Sequence, residues 1–360
     1  MDPIKVLVVD DSAIVRKLLA DGLRGAGDIE VVGTAADPFI ARDMIVRLEP
    51  DVLTLDIEMP RMDGLSFLRR LMVHRPMPVI IISSLTQSGS AATIDALRAG
   101  AVDVIPKPGG PYSVGEVTDR LRERIRALRG VTPARLAPAA PGADAARPAV
   151  SFDRTRCQHG VLAIGASTGG PQAIEALLTR LPAETPPVVI VQHMPARFTR
   201  AFAKRLDGVC AIRVVEVEGG ERLEPGVAYI APGDRHLLVE RQSLALTTRL
   251  TEGPPIHHQR PAVDVLFHSL ARLQGVPIVG LLLTGMGQDG ADGMVALRRA
   301  GAETIAQDEH SCVVFGMPKE AIARGGAAHV ATLLRIPSLI ADCFARMSPM
   351  ARSMNTVTSS

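Results

Sequence analysis

From Ile4 to about Arg129, short runs of Val, Ile and Leu alternate with stretches in which apolar residues recur at helical spacing. The runs IKVLVVD, IEVVGTA, DVLTLDI, PVIIISS and VDVIPKP read as buried strands. The segments SAIVRKLLADGLR, DPFIARDMIVRLE, SAATIDALRAG and VGEVTDRLRERIRAL read as amphipathic helices. Such alternation predicts a doubly wound α/β domain with a five-stranded parallel sheet, for which a flavodoxin-like strand order is one arrangement. Its right-handed crossovers put the functional loops at the carboxyl ends of the strands.

The pattern then breaks. Residues 130–153 carry the Pro/Ala/Gly-rich TPARLAPAAPGADAARPAVS, without hydrophobic periodicity, and are expected to be a linker. A second α/β series follows, with strand-like HGVLAIGAS, PPVVIVQH, GVAYIAP and PIVGLLLTG and helical PQAIEALLTRL and DGMVALRRAG. The expected division is a first domain over 1–129, a second doubly wound α/β domain over 154–348 and a disordered tail over 349–360. No internal repeat of 20–50 residues links the halves.

Length and composition fit that division. A chain of 360 residues is too long for one ordinary core. With 3% aromatic residues and no Trp, the interior must be built from Val, Ile, Leu and Ala, which suits parallel sheets covered by helices. The formal net charge of +2 lacks the broad basic footprint of a nucleic-acid binder. Cys157, Cys210, Cys312 and Cys343 are far apart with no C-x-x-C spacing, which speaks for reduced structural thiols rather than zinc ligands or disulfides. The start MDPIKVLVVDD has no signal-peptide character, and no apolar segment approaches the ~20 residues of a membrane span. The expectation is a soluble, cytoplasmic protein without direct membrane insertion.

The candidate chemistry of the first half is acidic. Asp10 and Asp11 follow the first strand, Asp56 follows VLTLD and Lys107 follows VDVIP, so a flavodoxin-like strand order brings them to one switch point. Clustered carboxylates repel, and Mg²⁺, which favours oxygen ligands, relieves that repulsion. For Asp10 or Asp11 taken singly, helix capping is the competing reading. The set V-V-D-D, L-D-I-E-M-P-x-M-D-G, I-I-S-S and P-K-P resembles the response-regulator receiver family. That resemblance implies that Asp56 accepts a phosphoryl group from a histidine kinase. It also implies that Asp11, Asp56 and the Glu58 carbonyl hold Mg²⁺ with Asp10 in support, that Ser83 senses the acyl phosphate, and that Lys107 neutralises a phosphate oxygen. Three residues before Lys107, where many receivers carry an aromatic switch residue, stands Val104, which speaks against an aromatic-rotamer relay.

In the second half, VLAIGASTGGPQAI reads as strand, tight turn and helix, with Gly165, Gly169 and Gly170 permitting the turn and Ser167 at its apex. G-x-S-x-G recurs where a serine hydroxyl is projected above a sheet beside N–H groups that can stabilise an oxyanion. A dinucleotide loop would need Gly where Ser167 stands, and no Lys follows as in a P-loop. A base and an orienting group complete such a site. His193 ends the strand PPVVIVQH and Asp289 lies in GMGQDG past the strand PIVGLLLT, although His236, His257 and His258 are also candidates.

The ordered set A-I-G-A-S-T-G-G-P, V-Q-H-M-P, A-P-G-D-R-H and T-G-M-G-x-D-G-A is similar to the chemotaxis protein-glutamate methylesterase family. The resemblance implies Ser167 as nucleophile, His193 as general base and then acid, Asp289 as the carboxylate holding the imidazole, and backbone donors near Thr168 and Met286. It implies a receiver-controlled hydrolase that demethylates glutamyl methyl esters, and deamidates particular glutamines, on methyl-accepting chemoreceptors, with no cofactor for the ester hydrolysis. The unphosphorylated receiver is expected to suppress this chemistry by covering the Ser167 face. Two other readings stay open: a receiver-controlled esterase or amidase with another substrate, and a non-catalytic regulator whose second half binds a partner.

Overall fold

The computed structural model describes residues 2–60, 62–84, 86–109, 113–136, 150–152 and 160–347. Most of the expected linker, all of the expected tail and Cys157 lie outside the described residues. The chain divides into two compact units, Met1–Asp144 and Ala145–Ser360.

In the first unit the apolar runs form β1 (Ile4–Val9), β2 (Ile29–Ala35), β3 (Val52–Asp56), β4 (Val79–Ser83) and β5 (Asp103–Pro106), all parallel, in the order β2-β1-β3-β4-β5. This is the flavodoxin-like five-stranded sheet. The amphipathic segments are helices, and Gly64–His74, between β3 and β4, completes the alternation. Helix starts are fixed by Ser12, Asp37, Asp63, Thr86 and Ser113, whose side chains accept backbone N–H groups of the first turn. Asp10 and Asp11 are therefore not the caps of the first helix. The chain runs from β1 out to β2 and returns across it to β3, so the switch point falls between β1 and β3. With Val9 opposite Leu55, Asp10 and Asp56 emerge side by side.

The second unit has a seven-stranded parallel sheet, ordered β14-β13-β12-β6-β7-β9-β8. Its strands are β6 (Val161–Ala166), β7 (Val188–Gln192), β8 (Arg213–Glu216), β9 (Val227–Ile230), β12 (Ile278–Leu282), β13 (Glu303–Gln307) and β14 (His329–Ala331). Helices follow most strands, and Phe198, Phe202, Phe267 and Phe344 are fully buried in an otherwise aliphatic interior. Outside the sheet, β10 (His236–Gln242) and β11 (Ala245–Thr251) pair as an antiparallel hairpin that the sequence pattern did not announce. Leu237 and Val239 point into the core, while Glu240 and Arg249 pair across the strands at 2.9 Å. The chain builds outward from β6 through β7 and then crosses back to β12 on the other side of β6. The second switch point therefore lies between β6 and β12.

Candidate active site and acidic pocket

At the first switch point Asp10 and Asp56 are 1% and 0% exposed. The Lys107 ammonium is 2.6 Å from Asp56 Oδ2 and 3.3 Å from Asp10 Oδ2. Burial pushes the Asp56 carboxyl up to about 6 despite Lys107, and also raises Asp10. Burial works against the charge on Lys107, but the Asp56 and Asp10 carboxylates outweigh it and its pKa is raised. Glu58 donates its N–H to Asp56 Oδ1 at 3.1 Å, and its own carboxylate accepts from the Ser84 hydroxyl. Oxygens of Asp10, Asp11 and Asp56 lie within 4.8 Å of one another. Beyond the Lys107 ion pair, the buried Asp10 Oδ2 has no hydrogen bond among the described residues. An all-oxygen donor set in which two buried carboxylates share a single lysine fits a hard divalent cation such as Mg²⁺.

Ser83 ends β4 in the same row, with Lys107 N–H donating to its carbonyl at 2.9 Å. Its hydroxyl is 2.8 Å from that of Thr93, a buried residue of the helix Gln87–Arg98 that the sequence reading missed. Val104 is buried in β5.

At the second switch point β6 pairs with β7 up to Ala166 and Gln192, and the next residues are Ser167 and His193. On the other side of β6, Ser167 donates its N–H to Thr284 O at 3.0 Å, just past β12. His193 donates its N–H to Ala166 O at 3.1 Å. Its ring Nε2 is 2.7 Å from Asp289 Oδ2, in a contact where both side chains are 2% exposed. Asp289 also accepts the N–H groups of Val263 at 2.7 Å and Asp264 at 2.9 Å, the first two residues of the helix Val263–Ala271. Burial raises the Asp289 carboxyl, but the His193 hydrogen bond and charge and these two N–H groups outweigh it and hold it below its ordinary value. The carboxylate is thus an acceptor on both oxygens, which assigns the Nε2 proton to His193. Nδ1 is left as the ring's acceptor, and it is buried without a partner among the described residues.

The three expected catalytic side chains therefore follow three adjacent strand ends. The Ser167 hydroxyl is not hydrogen-bonded to Nδ1, which has no partner among the described residues. Thr168 is buried, and the Met286 residue, half-buried, follows Gly285 directly behind Ser167, where an added Cβ would come within 2.7 Å of Ser167 Cβ. The glycine reading needs one correction. Gly169, at φ 75°, does make the turn, but Gly165 lies within β6 and serves close packing, because a Cβ there would meet Val263 Cγ1 at 2.3 Å. The other candidate histidines are scaffolding or surface. His236 accepts the Ala262 N–H on Nδ1 and lies 3.0 Å from Pro254 O through Nε2, His257 is in contact with Asp264, and His258 is exposed.

Residues 162–340 match the family described as CheB methylesterase, and residues 6–118 match the response regulator receiver domain. A protein-glutamate methylesterase/protein-glutamine glutaminase of Syntrophus aciditrophicus is 50% identical over 347 residues, covering 96% of this chain and 100% of that one. One of Geobacter metallireducens is 52% identical over 345 residues, covering 93% and 94%. The crystal structure of the Thermotoga maritima CheB methylesterase catalytic domain matches with a TM-score of 0.50 and 39% identity, over 51% of this chain and 97% of that chain. The chain belongs to the protein-glutamate methylesterase/protein-glutamine glutaminase family.

In this family member the support of the serine turn escaped the sequence reading. Gln192 donates from Nε2 to Ser167 O at 2.9 Å, and an added Cβ at Gly170 would sit 2.0 Å from its Oε1. Thr284 Oγ1 lies 3.0 Å from Thr168 O and accepts the Val314 N–H at 3.0 Å, while the Thr284 N–H is held by Gln307 Oε1 at 2.8 Å. The available signal was a polar residue closing an apolar strand, as in VVIVQ and LLLT.

Proposed function

We infer that this chain is a phosphorylation-regulated hydrolase that removes methyl groups from glutamyl esters of chemoreceptors, and deamidates particular glutamines, in chemotaxis-type adaptation. One observation carries the chemistry. A buried imidazole is fixed through Nε2 by a fully hydrogen-bonded carboxylate, leaving Nδ1 as a base at the strand end beside Ser167. Ser167 Oγ attacks the ester carbonyl as its proton passes to His193 Nδ1. The imidazolium that forms is stabilised by Asp289. Collapse of the tetrahedral intermediate returns the proton to the leaving methoxide, which departs as methanol. Water, deprotonated by the same nitrogen, then cleaves the acyl-enzyme to glutamate. Backbone N–H groups at Thr168 and Met286 are the proposed oxyanion donors.

In the receiver, Asp56 is the proposed acceptor of a phosphoryl group from a chemotaxis-type histidine kinase. Asp11, Asp56 and the Glu58 carbonyl would hold Mg²⁺, with Asp10 in support. That ion, when bound, offsets carboxylate and phosphate charge. Lys107 neutralises a phosphate oxygen, and a phosphoryl group on Asp56 competes with the Ser84 and Gly89 carbonyls for the Ser83 hydroxyl proton while Thr93 still donates to the Ser83 oxygen. The boundaries that fit this division of labour are 1–129, 130–153, 154–348 and 349–360. A cytoplasmic location accords with these partners, and among the described residues no helix is long and apolar enough to cross a membrane.

The test is methanol release from methyl-labelled chemoreceptor by the full chain, with and without a small phosphodonor. Release that Ser167→Ala abolishes, and that the phosphodonor raises only when Asp56 is intact, is expected. Turnover indifferent to Ser167 would defeat the reading. Turnover of simple esters without methylated receptor would shift it to another substrate.

A further inference from the structure

We propose that Asp264 is a positioning residue for the hydrolase site. By capping the helix that follows Asp289, it holds the Asp289 carboxylate against His193. The proposal deepens the reading of the Ser167 site and rests on it.

Two helices near the second switch point begin without side-chain caps of their own. Val263–Ala271 starts after Ala262 and Ala291–Arg299 after Gly290, and neither residue has a side-chain acceptor. Each helix borrows a carboxylate from the other. Asp289, two residues before Ala291–Arg299, accepts the N–H groups of Val263 and Asp264 at 2.7 and 2.9 Å. Asp264, in the first turn of Val263–Ala271, accepts the Gly293 N–H on Oδ1 at 2.7 Å. The exchange locks the two helix starts face to face.

The surroundings leave this lock little slack. A Cβ on Gly293 would lie 2.5 Å from Phe267 Cβ and 3.0 Å from Asp264 Oδ1, and one on Gly290 would lie 2.7 Å from Val263 Cγ1. Asp264 is 5% exposed and Gly293 is buried, so removing the carboxylate strands a backbone donor away from water. The cost falls on the helix start joined to the Asp289 loop. That loop also contains Met286, so carboxylate and proposed oxyanion donor shift together. From the solvent side, His257 Nε2 is 3.3 Å from Asp264 Oδ2, and His257 Nδ1 is 3.2 Å from Gln288 Nε2. Arg324 donates to Gln288 Oε1, and its other amino group is 2.6 Å from Asp292. Asp264 is thus the buried end of a polar chain that braces the same loop from outside.

The experiment compares full-length wild type, Asp264→Ala, Asp264→Asn and Asp207→Ala. Asp207, the last residue of the helix Phe198–Asp207, accepts the Val214 N–H of β8 on Oδ1 at 2.8 Å, so its variant measures the generic effect of losing a carboxylate-to-backbone hydrogen bond away from the site. Methanol release is measured with the phosphodonor present. The downfield proton resonance of the His193 Nε2–H, identified by its loss in His193→Gln, is recorded on the same samples. For Asp264→Ala, kcat should fall roughly 10–100-fold with KM within about threefold, as expected when a reacting group is displaced by ~1 Å. The His193 resonance should broaden or vanish. Asp264→Asn, whose amide oxygen still accepts from Gly293, should restore both readouts, and Asp207→Ala should leave both unchanged. A folded Asp264→Ala protein with wild-type kcat and resonance would overturn the proposal, as would an Asp264→Asn variant as impaired as the alanine. If no variant, wild type included, released methanol, the reading of the site would fall. The His193 resonance would still decide whether Asp264 positions that contact.

Discussion

The acidic pocket of the receiver and the serine site of the hydrolase occupy the same kind of place, the switch point of a parallel sheet, yet they treat a buried carboxylate in opposite ways. In the receiver, Asp56 and Asp10 share one lysine, and burial raises both pKa values. In the hydrolase, Asp289 is saturated by two helix N–H groups and an imidazole and is held below its ordinary value. The contrast separates a pocket built to receive charge from one already filled. The first is short of positive charge until a cation arrives. The second carries its compensation permanently, which suits a group that must stay ionised while a proton moves on the neighbouring ring.

The comparison breaks most easily at the nucleophile. Ser167→Ala should reduce methanol release by ~10⁴-fold or more, read against the uncatalysed rate. Asp289→Ala should follow at roughly 10³–10⁴-fold, because Nε2 loses the acceptor that fixes the tautomer. Full activity in Ser167→Ala would mean that the serine is not the nucleophile, and full activity in Asp289→Ala that the filled carboxylate has no part in the chemistry. On the receiver side, Asp56→Ala should erase a phosphodonor stimulation of about 5–150-fold while sparing unstimulated turnover.

A smaller effect sharpens the electrostatic contrast. An acid whose folded pKa, about 6 for Asp56, exceeds the ordinary 3.8 keeps its proton longer in the folded state. Its contribution to stability is therefore full at low pH and is lost as pH rises through about 6. Without divalent cation, Asp56→Asn should melt a few degrees above wild type at pH 7.5, with the gap closing as the pH is lowered towards 4. A gap independent of pH would mean that Asp56 is not under burial strain. Lys107→Ala should widen the penalty on Asp56, moving the wild-type transition to higher pH.

What was legible in the sequence was whatever sits at a strand's carboxyl end. Asp10, Asp56, Lys107, Ser167, His193 and Asp289 each close or follow an apolar run, and parallel topology gathers such residues without further information. Residues acting across the grain were hidden. Asp264 lies in PAVDVLF, where one acid in an amphipathic segment reads as a solvated position, and its partner Gly293 is 29 residues away on another helix start. Thr93 looked like an ordinary helix residue until packing set its hydroxyl against Ser83. The hairpin of β10 and β11 was masked because HLLVERQ and ALTTRLT mix charges with apolar residues, one face covering the core and the other facing water. Gly165 was read as a turn glycine, although it lies in β6 and its reason is Val263, from a helix packed on that strand.

The central claim is that His193 Nδ1 makes Ser167 a nucleophile, and covalent trapping tests it most directly. Full-length protein with a small phosphodonor is treated with a serine-directed phosphonate, and the adduct is mapped by mass spectrometry. The account predicts one adduct on Ser167, absent in Ser167→Ala and formed at least ~10³-fold more slowly in His193→Ala. An adduct on another residue, or equal labelling with and without the imidazole, would contradict it.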